Sequence, residues 1–341
     1  MTAKPVRVGV VGFGYWGPNL VRNLDRLGDA LLVAACDTSQ ASLAKLSGLY
    51  PGVATTTDLD ELLAAHDLDA VVVATSAPSH FAVAKKVIEA GLHCFVEKPL
   101  TLTSADAETL VRLADERGVV LMVGHLMEYH SAINWIRDYI ASGELGDVLY
   151  LYAQRLNLGK VRAEENAFWS LAPHDVSIVL YLIGETPDRV SANGVAVLHG
   201  GVHDTVFANL HFPSGKMANI HVSWLDPHKV RRLTIVGTRK MLVFDDMEAT
   251  EKIWIYDKGV EPAEALGYGE DLRLRFGDIT VPFIPMLEPL ALEVQHFLDC
   301  CADGSTPRSD GRDGLRVVRV LEAVDRSMAT GGAPVSTIVE V

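Results

Sequence analysis

Val6-Arg7-Val8-Gly9-Val10-Val11-Gly12-Phe13-Gly14-Tyr15-Trp16-Gly17 opens the chain with a valine-rich run followed by three spaced glycines. A continuous apolar run is typical of a parallel strand covered on both faces, so we predict a strand over Val6–Val11. Gly12 would allow a tight turn, Gly14 the approach of a pyrophosphate, and Gly17 close packing of helix on strand. The N–H groups that begin the next helix would face the phosphates. The pattern predicts a dinucleotide site.

Asp37 stands at the end of the predicted second strand, directly after Leu31–Cys36, and comes 20 residues after Gly17. Its carboxylate would accept hydrogen bonds from ribose hydroxyls and repel a 2′-phosphate, so NAD is predicted in preference to NADP. The alternative is a tight strand-to-helix turn that binds no ligand. The other cofactor-binding residues predicted in this region are Phe13, Tyr15, Trp16 and Thr38.

The order of apolar runs predicts an α/β protein with two domains. Short apolar runs alternate with helical stretches over residues 1–125, which indicates a Rossmann dinucleotide-binding domain. Residues 126–341 are predicted to form an α+β substrate-binding and oligomerisation domain with a large, mostly antiparallel, open-faced sheet. Two late helices, near Leu287–Cys301 and Arg312–Met328, could pack back on the first domain.

Composition narrows the class of protein. The 341 residues carry 44 acidic and 30 basic side chains, a net charge of −14, which disfavours nucleic-acid binding. The four cysteines have no metal-ligand or disulfide spacing, and the histidines show no convergent spacing, so we predict no metal and a reducing cytoplasm. No run approaches membrane-spanning length, and no signal peptide or membrane association is expected.

Two further motifs carry candidate catalytic groups. In Glu97-Lys98-Pro99, Lys98 follows a short apolar run and would stand at the carboxyl end of a parallel strand, where open α/β sheets bind ligands. Pro173-His174-Asp175 begins a predicted helix. The lysine could hold a hydroxyl as it becomes an alkoxide, and the histidine could take its proton. Alone, each residue has an ordinary structural interpretation; their combination with the glycine motif favours the catalytic one.

These motifs make the chain resemble the Gfo/Idh/MocA oxidoreductases, the family of glucose–fructose oxidoreductase and inositol dehydrogenase, over essentially its whole length. The residues that carry the resemblance are the Gly12–Gly17 motif, Ala74-Thr75-Ser76-Ala77-Pro78-Ser79-His80, Ala90-Gly91-Leu92-His93-Cys94-Phe95-Val96-Glu97-Lys98-Pro99, Val123-Gly124-His125, Gly143-Glu144-Leu145-Gly146, the stretch Arg155 to Arg162, Trp169, and Leu171-Ala172-Pro173-His174-Asp175. The last three are similar to members that act on sugars and nucleotide-sugars, including the UDP-N-acetylglucosamine 3-dehydrogenase type.

The resemblance implies roles for particular residues. Lys98 would lie beside the nicotinamide after a cis peptide bond to Pro99, and Trp169 near the nicotinamide or the sugar. Further residues implied to line the cofactor are Thr75, Pro78, His80 and Glu97. The predicted substrate-binding residues are Lys98, Arg155, Asn157, Lys160, Arg162, Ser170 and His174. For Lys160 and Arg162, a solvated loop is the alternative. The resemblance also implies that subunits associate through the open face of the second sheet, as a homodimer or homotetramer.

The expected reaction is hydride transfer between a secondary alcohol of a sugar or nucleotide-sugar and NAD. One residue departs from the family pattern: Ser170 stands four residues before His174, where many members carry an aspartate one helical turn away. A serine supplies no negative charge there. A ketosugar reductase and an inositol or polyol dehydrogenase remain alternatives, and a non-catalytic NAD-binding regulator is the alternative from another class.

Overall fold

The chain forms two compact units in a computed structural model. The structure describes residues 4–65, 67–159, 161–198, 200–262 and 272–338. The first unit comprises Met1–Tyr129 and Leu287–Val318, and the second comprises His130–Met286 and Arg319–Val341. Lys160, predicted to bind substrate, and His199 lie outside the described residues.

A six-stranded sheet in the order β3-β2-β1-β4-β5-β6, parallel throughout, forms the centre of the first unit. Its strands are β1 (Val6–Val11), β2 (Ala30–Cys36), β3 (Ala54–Thr56), β4 (Ala70–Val73), β5 (His93–Glu97) and β6 (Leu121–Gly124). The order reverses between β1 and β4, and open sheets of this kind bind ligands outside the carboxyl ends of their strands at that point. The prediction of a Rossmann fold is confirmed.

Helices connect these strands, and for the last of them the sequence predicts a cap at Thr103 and an end at Gly118. They are α1 (Gly17–Arg26), α2 (Gln40–Leu49), α3 (Leu59–Ala65), α4 (Ala77–Glu89) and α5 (Ser104–Arg117). The Thr103 side chain accepts the N–H of Asp106 at the start of α5, and Gly118 ends that helix with a φ of 66°. The sequence predicts the fourth helix from His80 to Ala90; in the structure α4 starts three residues earlier, because Pro78 is well suited to its first turn.

The second unit is built on a nine-stranded sheet in the order β14-β13-β12-β11-β7-β10-β9-β8-β15. Only β7 and β10 pair in parallel among the described strands; every other neighbouring pair is antiparallel, which confirms the predicted fold class. The strands are β7 (Val148–Leu156), β8 (Arg189–Val195), β9 (Thr205–His211), β10 (Met217–Ser223), β11 (Val230–Gly237), β12 (Met241–Asp245), β13 (Ile253–Pro262), β14 (Leu272–Thr280) and β15 (Val335–Ser336).

Helices cover one face of this sheet. They are α6 (Ser131–Ala141), α7 (Ala167–Leu171) and α8 (Pro173–Ile183), and the last two pack on β7, β9 and β10. Ala218, Ile220 and Val222 of β10 are buried, whereas Asn219 and His221 alternate with them on the partly exposed face.

Two long helices follow the second sheet. The first, α9 (Pro289–Asp303), belongs to the first unit, whereas α10 (Gly311–Ala329) is divided between the two units after Val318. In the described ranges no helix is both long enough and apolar enough to cross a membrane.

Candidate active site

The glycine loop between β1 and α1 has the shape that a dinucleotide needs. Gly12 has a φ of 98°, and a Cβ there would lie 2.7 Å from the backbone of Ala74 on the loop after β4. A Cβ at Gly17 would collide with the Gly12 carbonyl oxygen, whereas Gly14 has open space around it. No side chain caps the start of α1, so its backbone N–H groups can receive phosphate oxygens. The loop therefore fits a pyrophosphate.

Asp37 lies at the end of β2 and is tied to the glycine loop. Its Oδ2 accepts the Phe13 N–H at 2.6 Å, and its Oδ1 accepts the Ser39 N–H at 2.7 Å. These bonds hold the partly buried carboxylate in one orientation while leaving lone pairs for ribose hydroxyls. The placement suits the NAD preference predicted from the sequence.

Lys98 follows β5 directly, and the Lys98–Pro99 peptide bond is cis, as the family resemblance implies. His80 supports this turn from α4: its Nδ1 lies 2.8 Å from the Pro99 carbonyl oxygen and its Nε2 lies 3.2 Å from that of Thr75. Burial lowers the pKa of His80, which is only 1% exposed. Its ring connects the turns after β4 and β5; its predicted contact with the cofactor stays a prediction.

Glu97 joins the lysine turn to the glycine loop. Its Oε2 accepts the Lys98 backbone N–H at 3.3 Å, and its carboxylate accepts a hydrogen bond from the Trp16 side chain. Burial raises the pKa of Glu97 to about 7, against the opposing effects of Lys98 and of these two hydrogen bonds. A carboxyl group that titrates near neutral pH thus lies directly beside the candidate catalytic lysine.

A buried acidic cluster surrounds His125, the residue that follows β6. His125 Nδ1 lies 2.7 Å from Asp313 Oδ2 and 3.5 Å from Glu128 Oε1, and all three side chains are nearly inaccessible. Although burial alone would lower the pKa of His125, Asp313 and Glu128 raise it to about 10. The three residues could surround a cation, but a hydrogen-bonded ion pair accounts for their approach. The prediction of no metal stays a prediction.

In the second unit, His174 is the second residue of α8, and the residue after it is anchored by a buried ion pair. Arg155 Nε lies 2.6 Å from Asp175 Oδ2, and its Nη2 lies 3.1 Å from Oδ1. Arg155 comes from β7 and is 8% exposed. The guanidinium predicted to bind substrate is thus already held in a two-pronged contact that ties the start of α8 to the sheet.

Trp169 lies on α7, and Asp325 of α10 accepts hydrogen bonds from this short helix and its cap. The Trp169 indole Nε1 donates to Asp325 Oδ2 at 2.6 Å, and the Asn166 amide donates to the other carboxylate oxygen at 2.8 Å. Asn166 also caps α7. Ser170 lies on this short helix, which ends before α8 begins at Pro173. Ala172, between the two helices, keeps helical backbone angles (φ −72°, ψ −19°), and the placement of Ser170 one helical turn before His174 stays a prediction.

The remaining predicted residues have weaker geometric support, and their roles stay predictions. Arg162 is exposed and lies 3.0 Å from Glu165, as the solvated-loop alternative predicts. The Asn157 amide folds over Gly159. Thr75 shares a 2.8 Å hydrogen bond with Ser79. The exposed members of the predicted cofactor-binding set are Gly14, Tyr15, Thr38 and Pro78.

Sequence reasoning missed the acidic residues contributed by the late helices. Glu293, Asp313 and Asp325 belong to α9 and α10, far along the chain from the residues they surround. Glu293 and Asp313 are buried and Asp325 is partly buried, on helix faces where an apolar side chain is the rule. A carboxylate at such a position is the one signal that could have drawn attention to them.

Comparison with known proteins agrees with this geometry. Residues 6–125 match the model of the oxidoreductase family with an NAD-binding Rossmann fold, and residues 133–243 match the Gfo/Idh/MocA C-terminal domain. The chain belongs to the Gfo/Idh/MocA oxidoreductase family, and its first unit is an NAD-binding Rossmann domain. It is therefore an oxidoreductase of the class that acts on CH–OH groups.

Two relatives show the range of the similarity. UDP-N-acetylglucosamine 3-dehydrogenase of Acidithiobacillus ferrooxidans is 30% identical over 92% of this chain and 94% of its own length. Its solved structure superimposes with a TM-score of 0.79 at 27% identity, covering 96% of this chain and 99% of the other. Inositol 2-dehydrogenase of Rhizobium meliloti is 26% identical over 95% of this chain and 97% of its own length.

Proposed function

We propose that the protein oxidises a secondary hydroxyl of a nucleotide-sugar, of the UDP-N-acetylglucosamine class, with NAD as hydride acceptor. The observation that carries this proposal is the placement of Lys98. It follows β5 at the carboxyl edge of the Rossmann sheet, and Glu97 ties its turn to the glycine loop that fits the coenzyme. The similarity to UDP-N-acetylglucosamine 3-dehydrogenase supports the substrate class.

The proposed chemistry divides between two side chains. Lys98 donates a hydrogen bond to the substrate hydroxyl oxygen and stabilises the negative charge that develops on it. His174, at the start of α8, accepts the hydroxyl proton as general base. NAD, when bound, accepts the hydride from the same carbon. The Arg155–Asp175 pair keeps the first turn of α8 in place, which supports a positioned rather than a mobile histidine.

An inositol or polyol dehydrogenase is the second candidate, because inositol 2-dehydrogenase covers nearly the same length of chain. A ketosugar reductase would use the same two groups in the reverse direction. Initial rates with UDP-N-acetylglucosamine, glucose 6-phosphate and myo-inositol, each with NAD and with NADP, distinguish these substrates. A rate with myo-inositol above that with the nucleotide-sugar would overturn the proposed substrate class.

Lys98→Ala tests the catalytic assignment. We expect kcat to fall by a factor on the order of 10²–10⁴ while the Kd for NAD changes little, because the lysine acts on the substrate oxygen. Lys85→Ala is the matched control, since Lys85 is an exposed residue of α4 paired with Glu89. Normal turnover by Lys98→Ala would overturn the role given to Lys98, whereas a wild-type protein that binds NAD and oxidises none of these alcohols would favour the non-catalytic regulator.

We also propose a homodimer or homotetramer that assembles through the uncovered face of the second sheet. Four large side chains of β7, β9 and β10 are exposed on that face: Tyr150, Tyr152, Phe207 and Met217. Large exposed apolar side chains on an uncovered sheet face are typical of protein interfaces. Light scattering gives the mass in solution, and a monomer would contradict the proposal.

A reducing cytoplasm remains the proposed location, supported by the four free cysteines.

A further inference from the structure

Asp325 of α10 is a partly buried carboxylate that the proposed reaction does not use. Two side chains, one from the cap of α7 and one from the helix itself, donate to it. The Asn166 amide donates to Oδ1 at 2.8 Å, and the Trp169 indole Nε1 donates to Oδ2 at 2.6 Å. All three residues belong to the second unit. Because each carboxylate oxygen has its own donor, the two bonds fix the carboxylate in one orientation.

The Trp169 indole needs this acceptor. Its ring is only 9% exposed, and an indole N–H that is buried without a partner is costly. The 2.6 Å distance is that of a strong hydrogen bond to a charged acceptor. Burial raises the pKa of Asp325, whereas the bonds from Trp169 and Asn166 favour its ionised form. The carboxylate and its two donors therefore stabilise one another.

Asn166 extends these contacts to the backbone of α7. It is the N-cap of this helix, and its Oδ1 accepts the N–H groups of Phe168 and Trp169 at 3.0 Å and 3.1 Å. A helix of only five residues is not stable by itself, so its place depends on the groups that hold it. Asp325 orients the amide that caps α7, and it also binds the indole one turn further on.

The backbone connects the position of α7 to that of His174. Ala172 lies between α7 and α8 with helical backbone angles. Its N–H donates to the Phe168 carbonyl oxygen at 2.9 Å, and its own carbonyl oxygen accepts the Val176 N–H at 2.8 Å. A displacement of α7 would therefore move the first turn of α8. A shift of about 1 Å in a catalytic group can lower a rate about 100-fold.

We propose that Asp325 and Asn166 form a carboxylate–amide pair that holds α7 in place, so that Asp325 is a positioning residue for His174. The carboxylate orients the amide that caps the helix and binds the Trp169 indole at the same time. The inference rests on the proposed role of His174 as general base. It involves residues of the second unit alone, so NAD binding by the Rossmann domain should not depend on it.

An exchange of the two polar residues tests the pair. Asp325→Asn leaves one acceptor oxygen for two donors, so one donor loses its partner. Asn166→Asp places two carboxylates together and removes their hydrogen bond. In the double variant, the amide at position 325 donates to the carboxylate at position 166 and accepts the Trp169 N–H. The second oxygen of that carboxylate still caps α7, since aspartate is as good an N-cap as asparagine.

Turnover with UDP-N-acetylglucosamine and NAD measures the effect. We expect each single variant to lower kcat about tenfold, while KM and the Kd for NAD change less than about twofold. The double variant should recover kcat to within about threefold of the wild type, far above the product of the single effects. Asp299→Asn, the same change at an exposed position of α9, is the control. Asp325→Asn with wild-type kcat, or a double variant as slow as that product, would overturn the proposal.

The NMR signal of the Trp169 indole separates this inference from the proposed function. The chain has five tryptophans, and Trp169→Phe identifies the ¹H–¹⁵N resonance of this one. Its bond to a carboxylate shifts the proton downfield, so Asp325→Ala should move the resonance upfield. An unchanged resonance would overturn the pair even if Lys98→Ala abolished turnover. If the resonance moves as expected but none of the alcohols is oxidised, the pair stands and the proposed function fails.

Discussion

The two units hold buried charge in different ways. In the second unit, Arg155 and Asp175 are matched, one guanidinium to one carboxylate through two hydrogen bonds. In the first unit, Asp313 has two cationic partners, His125 at 2.7 Å and Arg316 at 2.5 Å. Burial raises the pKa of the carboxyl groups of Glu97, Glu128 and Glu293, and the positive charge of His125 opposes that rise in all three.

This difference separates a structural contact from a site that is adjusted for chemistry. A matched pair satisfies both partners and keeps one geometry over a wide range of pH. We call Asp313, Glu97, Glu128 and Glu293, with the cations around them, the mismatched group. Such a group keeps some of its carboxyl groups protonated, so its charge can change near neutral pH. The mismatched group lies beside the lysine turn, whereas the matched pair anchors the helix that carries the histidine.

The largest expected effect is on the matched pair. Arg155→Met leaves the Asp175 carboxylate buried without its cation, so we expect the free energy of unfolding to fall by about 3–5 kcal/mol. Replacing both residues, as Arg155→Met with Asp175→Leu, should recover most of that loss. Arg162→Met, which removes an exposed ion pair with Glu165, should change stability by less than about 1 kcal/mol. Urea titration measures all three, and a near-neutral Arg155→Met would show that the pair does not anchor α8.

A smaller effect, dependent on pH, is expected at Asp313. Because the pKa of His125 is raised to about 10, its ion pair is fully present below the unfolded value of about 6.5 and is lost as pH rises through 10. The pKa of Asp313 is lowered, so the pair weakens again in acid. Asp313→Asn should therefore destabilise by about 2 kcal/mol at pH 6 and by less at pH 10. An equal loss at both pH values would mean that His125 is neutral.

The smallest effect is expected at Glu128, and its sign is opposite. Burial raises the pKa of Glu128 to about 8, so folding takes up a proton and the wild-type protein loses stability as pH rises from about 4.3 to 8. Glu128→Gln avoids that loss but gives up the attraction to His125, so we expect a gain of about 1 kcal/mol at pH 8. Thermal unfolding across pH 4–8 measures it. A loss at pH 8 would show that Glu128 is ionised and matched.

Most turns and helix ends of the first unit could be predicted, because the sequence patterns that specify them are local. The turn at Gly12, the cap at Thr103 and the αL end at Gly118 each depend on neighbours within a few residues, and the structure shows all three. The short helix α7 was missed because its five residues are too few to show an apolar period. The strand β14 was missed because its side chains are mostly exposed and show no alternation of burial.

The Rossmann fold, the glycine loop and the family could be predicted from the sequence alone, because they depend on patterns within short segments. The surroundings of the candidate catalytic residues could not, because they depend on contacts between distant parts of the chain. Arg155 meets Asp175 across 20 positions, and His125 meets Asp313 across 188. Such partners depend on how distant helices and strands pack, because the energy of a buried charge is set by every group around it.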